Sequence, residues 1–127
     1  MKKILCIDFD GVLHSYKSRW QGARVIADEP VNGAISWLYQ LIFSNKFDIC
    51  IYSSRSRQFG GKRAMKNWII KSGLPKSLVD EIKFPTKKPT AYLTIDDRAI
   101  RFEGVFPTVN EIDSFRSWYE DRYPIEK

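Results

Sequence analysis

Three short apolar runs, each ending abruptly in carboxylates or hydroxyls, set the tightest limit on what this chain can fold into. Lys3 to Ile7 runs into Asp8, Phe47 to Tyr52 into Ser53-Ser54-Arg55, and Ala91 to Ile95 into Asp96-Asp97. Between them lie amphipathic stretches of helical period. Short apolar runs alternating with amphipathic ones are the pattern of a parallel sheet with helices on its faces. In such a sheet, ligands bind beyond the carboxyl ends of the strands, which is where the three runs place their polar residues.

The intervening segments carry their own signals. Asp28-Glu29-Pro30 has the acidic first turn and early proline of a helix start. Val31, Ala34, Ile35, Leu38, Leu41 and Ile42 follow at helical spacing, with an end at Asn45-Lys46. Gly60-Gly61 precedes a second helix with Met65, Trp68 and Ile69 on one face and Gly73 as its stop. Ile82 to Phe84 reads as a further short strand, closed by Pro85. Asn110 is expected to cap a last helix whose apolar face is Ile112, Phe115, Trp118 and Tyr119. The aromatics in these stripes are read as core. The polar, glycine-containing stretch from His14 to Ala27 has the length of a β-hairpin flap and is too short for a second domain.

With 127 residues the chain is expected to be one domain, 1–127, burying roughly two-thirds of its unfolded surface. Hydrophobic residues make up 43% and charged residues 28%, an ordinary globular composition. No apolar run approaches the ~18 residues of a membrane span. The first run stops at Asp8 and no small-residue cleavage site follows, so it is read as a strand and not a leader. The expected location is the cytoplasm, with no membrane partner. Cys6 and Cys50 sit inside apolar runs and offer neither a disulfide framework nor metal-ligand spacing, so both are read as small core hydrophobes. No spacing pairs them with His14, the single histidine, as a thiol enzyme.

If the three strands are neighbours, Asp8, Asp10, Asp96 and Asp97 converge with Ser53 and nearby Lys87 and Lys88. Four carboxylates so close repel one another, and such a cluster calls for a hard cation; Mg²⁺ suits it, because it takes oxygen ligands and keeps several waters. Gly11 lets the chain turn sharply past the strand end, so Asp8 and Asp10 can both face one phosphoryl group. A carboxylate ionised at neutral pH and backed by a metal and a lysine can attack phosphorus and form an aspartyl-phosphate. A second carboxylate can protonate the leaving group and then activate water.

These elements, in this order, resemble the haloacid dehalogenase (HAD) superfamily of phosphotransferases. Its first motif is similar to Asp8-Phe9-Asp10-Gly11-Val12, with Val12 in place of the commoner Thr. Its second resembles Ser53, its third Lys88-Pro89 better than Lys87, and its fourth Leu93-Thr94-Ile95-Asp96-Asp97. The Ser53-Ser54-Arg55 run is also similar to the phosphatase domains of nucleic-acid-end-repair enzymes, notably polynucleotide 3'-phosphatases. The resemblance implies a Rossmann-like three-layer α/β sandwich and a phosphoric monoester hydrolase. It implies Asp8 as nucleophile and Asp10 as acid/base. Ser53, Ser54 and Lys88 would hold the phosphate. Mg²⁺ would lie on Asp8, Asp96, the backbone carbonyl of Asp10, and Asp97 directly or through water. An Asp two residues after the nucleophile is, in that superfamily, the mark of phosphate chemistry.

Members of the superfamily commonly carry a cap inserted after the first motif or between the second and third. Here neither interval has room for one, so a capless, open site is expected. Eleven of the 21 basic residues fall on segments expected to rim it: Lys17, Arg19, Arg24, Arg55, Arg57, Lys62, Arg63, Lys87, Lys88, Arg98 and Arg101. Among these, Arg55, Arg57 and Arg98 are the candidate substrate rim. A basic rim on an open site suits a phosphorylated nucleic-acid end or nucleotide. The alternatives are a small-metabolite phosphatase completed by a neighbouring subunit, or a non-catalytic binding module; intact motifs argue against the second. Nothing in the sequence sets the oligomeric state.

Overall fold

A computed structural model describes residues 2–125; the remaining three positions of the expected domain lie outside the described residues. Three parallel strands form the sheet: β1 (Lys3–Ile7), β2 (Phe47–Ile51) and β3 (Leu93–Ile95), in the order β2-β1-β3. Ile7 is level with both Ile51 and Ile95, so the three strands end together. The helices are α1 (Ala34–Ser44), α2 (Gly61–Lys71), α3 (Lys76–Val79), α4 (Val109–Asp113) and α5 (Trp118–Arg122), and a 3-10 turn spans Ser54–Arg57. The protein is thus mixed α/β with a parallel sheet.

Consecutive residues Leu5, Cys6 and Ile7 of β1, and Ile49, Cys50 and Ile51 of β2, are all buried. Successive side chains point to opposite faces of a sheet, so both faces of these strands are covered. Ala34 and Leu38 of α1 and Met65 and Ile69 of α2 pack in the same core. Each fully buried aliphatic side chain here contributes about 1.5–3 kcal/mol. Both cysteines are free and buried, as core hydrophobes should be. No helix among the described residues is long and apolar enough to cross a membrane.

Four expectations need correction. First, α1 begins at Ala34 behind Gly33, which adopts a left-handed φ of 86°, and not at Asp28-Glu29-Pro30. Glu29 and Pro30 pair with 13–15 instead: Ser15 N–H donates to Glu29 O and Val31 N–H to Leu13 O, and this pairing outcompetes the helix start. Second, Ile82 to Phe84 adds only a single rung, in which Lys83 exchanges two backbone hydrogen bonds with Ile49 and Ile51 before Pro85. Third, the last helix is two. Thr108, and not Asn110, caps α4; Ile112 is exposed, and α5 starts afresh after Ser117. Fourth, no β-hairpin flap forms between His14 and Ala27. The carbonyls of Gly22, Ala23 and Val25 are taken up by a buried arginine, Arg55, in place of a cross-strand ladder.

Candidate active site

The even ends of the three strands decide the geometry. Asp8 follows β1, Ser53 lies two residues after β2, and Asp96-Asp97 follow β3. Asp8 N–H donates to Ile95 O at 2.9 Å and locks the first carboxylate beside the last pair. Ligand oxygens of Asp8, Asp96 and Asp97 all lie within 4.8 Å of one another. Burial pushes the Asp8 carboxyl up to about 9, with its contact to Asp97 and the charges of Asp96 and Asp97 adding to the effect. In that state Asp8 keeps its proton at neutral pH, which relieves the repulsion. The donor set, three carboxylates converging on one point, fits a hard divalent cation that would displace that proton.

Asp10 lies outside this trio and faces a different partner. Arg55, fully buried, donates from Nε to Oδ2 at 2.9 Å and from its NH2 nitrogen to Oδ1 at 3.1 Å. His14 Nδ1 lies 2.9 Å from Oδ1. Asp28 N–H donates to His14 Nε2, so the ring proton sits on Nδ1, aimed at Asp10. The Asp10 carboxylate is thus engaged by Arg55 and His14, apart from the trio. Oδ2 has a single close donor, and it is the oxygen with capacity left for a proton.

Two hollows adjoin at Asp8. One, of about 280 Å³, is lined by Asp8, Asp10, Ser53, Ser54, Asp97 and Arg98, among others. The other, of about 110 Å³, brings Lys88 to Asp8, Ser53, Ser54 and Asp96. Lys88, and not Lys87, thus lines the hollow with the first carboxylate. Ser53 caps the 3-10 turn: its Oγ accepts from Arg55 N–H at 3.2 Å, which leaves its own proton free for the hollow. Arg98 is held over the site by Tyr119, whose hydroxyl it reaches at 3.1 Å.

The expected rim is only partly a rim. Arg55 is the most completely buried cation in the described chain and cannot face a substrate from outside; it braces Asp10 and the 16–27 loop. Lys17 is paired with Glu29, and Arg19 with the Tyr123 carbonyl. Arg57 ends the 3-10 turn, exposed, and Arg98 lines the larger hollow.

Sequence reasoning missed a supporting layer. Ser117 Oγ donates to Asp97 Oδ2 at 2.9 Å, and Trp118 Nε1–H donates to Gly11 O at 2.6 Å. Thr108-Val109-Asn110-Glu111 and Ser117-Trp118-Tyr119-Glu120 both carry the Ser/Thr-x-x-Glu signature of a helix start, which marks the two helices and would have placed Ser117 at an end. Glu120 does accept the Ser117 N–H, at 2.6 Å. Gly11 is forced: its φ is +82°, and a Cβ there would lie 2.5 Å from Asp97 Oδ2. Compared with family models, with curated proteins and with solved structures, the chain finds no match.

Proposed function

We propose that this protein is a Mg²⁺-dependent phosphohydrolase of the haloacid dehalogenase type, acting through an aspartyl-phosphate on a phosphorylated nucleic-acid end or nucleotide. The reading carries with it the capless, three-layer Rossmann-like arrangement of that superfamily and a cytoplasmic location. The observation that carries it is the meeting of Asp8, Asp96 and Asp97 with Asp10, Ser53 and Lys88 around two adjoining hollows at the common end of parallel strands.

Asp8, Asp96 and Asp97, with the Asp10 carbonyl, would hold the cation. When bound it neutralises phosphoryl oxygens as a Lewis acid and keeps Asp8 ionised. Ser53 O–H and Lys88 Nζ bind the remaining phosphoryl oxygens. Asp8 attacks phosphorus; the Asp8–phosphorus bond forms as the bond to the leaving oxygen breaks, and Asp10 gives that oxygen its proton. Asp10, now a carboxylate, takes a proton from water as the water attacks phosphorus. The bond to Asp8 then breaks, inorganic phosphate leaves, and both carboxyl groups return to their starting forms. Arg55 and His14 hold the Asp10 side chain in orientation throughout.

The test is release of phosphate from a generic aryl phosphate. Activity is expected with Mg²⁺, lost in EDTA and recovered on adding Mg²⁺ back. Undiminished turnover in metal-free buffer would contradict the reading.

A further inference from the structure

A third hollow, about 610 Å³ and more than twice the volume of the one beside Asp10, opens between the 16–27 loop and the start of α2. Arg24, Lys62 and Arg63 line it together with Phe59, and no carboxylate does. Among the described residues, neither Arg24 nor Arg63 belongs to an ion pair. Phe59 is 91% exposed, a large ring left in water at the mouth of a cationic groove.

The groove is built and not incidental. Arg55 NH1 holds the carbonyls of Gly22, Ala23 and Val25, on either side of Arg24. The Arg24 stem then lies across Gly60, where a Cβ would come within 2.5 Å of its Cδ. Its guanidinium stands 6.0 Å from the Phe59 ring centroid. Ser56 lines this groove, while Ser53 and Ser54 line the hollow beside Asp8. Ser54 and Ser56 are two residues apart on the same 3-10 turn, about 4 Å along its axis at a rise of about 2 Å per residue.

We propose that this groove binds single-stranded nucleic acid, with a base stacked on Phe59 and backbone phosphates on Arg24, Lys62 and Arg63. A groove that pairs an exposed aromatic face with cations matches how unpaired strands are held. A base in a duplex has its faces already stacked, and an acidic peptide would satisfy the cations but leave Phe59 in water. That the strand delivers its phosphorylated end to Asp8 rests on the function proposed above; the binding itself does not.

The experiment is fluorescence anisotropy of a labelled oligothymidylate without a terminal phosphate, in metal-free buffer across a salt series. Affinity is expected to fall with salt at a slope of about −0.7 per phosphate contact. The Arg24→Ala, Arg63→Ala double variant should bind more weakly and flatten the slope by about 1.4, in line with two lost contacts. Phe59→Ala should bind at least about fivefold more weakly. Lys71→Ala, which removes a cation of α2 outside the groove, should bind as the wild type does. Affinity unchanged in both groove variants, or equal competition by polyglutamate, would overturn the proposal. Strand binding without aryl phosphate hydrolysis would sink the phosphatase reading alone, and hydrolysis without strand binding would sink the groove alone.

Discussion

Two side chains at the site are held in states that water would not choose. Asp8 is raised to about 9 in the metal-free protein, from 3.8, mainly by burial. A carboxyl raised on folding gives stability that is full below pH 3.8 and is lost as pH climbs through about 9. The metal-free wild type should therefore lose melting temperature between pH 5 and 9 more steeply than Asp8→Asn, and Mg²⁺ should remove the difference; parallel pH series of thermal melts check this. Arg55 is the other. Its charge is wholly buried and Asp10 is its only ion-pair partner among the described residues. Removing one member of a buried pair costs about 3–5 kcal/mol. Arg55→Met is expected to lose that much in chemical denaturation and to expose the 16–27 loop to protease. Arg55→Lys should rescue little, because one ammonium cannot reproduce a fork that meets Asp10 and three carbonyls. Asp10→Asn should slow aryl phosphate turnover roughly 10²–10⁴-fold and also lower stability, since it leaves Arg55 unpaired.

Among the elements, α5 buries a single side chain, Tyr119, and acts chiefly on the site. Its N-terminal edge contributes the Ser117 hydroxyl to Asp97 and the Trp118 indole to the Gly11 carbonyl, closing the turn that carries Asp10. Gly11→Ala should cut activity at least about 100-fold with the protein still folded, as the new methyl group would displace Asp97 and the positive φ would be strained. Aryl phosphate kinetics alongside circular dichroism test this. The strand-end residues were legible in the sequence because apolar runs and their abrupt polar ends are local. The Asp10–Arg55–His14 cluster was not, because Ser-x-Arg reads the same whether the arginine faces water or the core. The missing hairpin has the same cause: which groups take the loop carbonyls is settled 30 residues away, by Arg55. The split of the last helix, by contrast, was written locally in two Ser/Thr-x-x-Glu signatures.

At the scale of the molecule, one buried arginine organises two surfaces. Arg55 belongs to the 3-10 turn, with Asp10 on one side and the carbonyls of Gly22, Ala23 and Val25, which flank Arg24, on the other. Its position leaves the net charge of +6 without the continuous rim that the sequence suggested. Part of that charge is spent internally, and Arg24, Lys62 and Arg63 gather instead along one groove beside the site. The central claim is covalent chemistry at Asp8, and acid quench of the wild-type protein during its first turnover of a radiolabelled aryl phosphate tests it most directly. A hydroxylamine-labile phosphoryl group is expected on the peptide carrying Asp8, with neither label nor turnover in Asp8→Asn. Near-normal phosphate release by Asp8→Asn, with no label on any carboxylate, would contradict it.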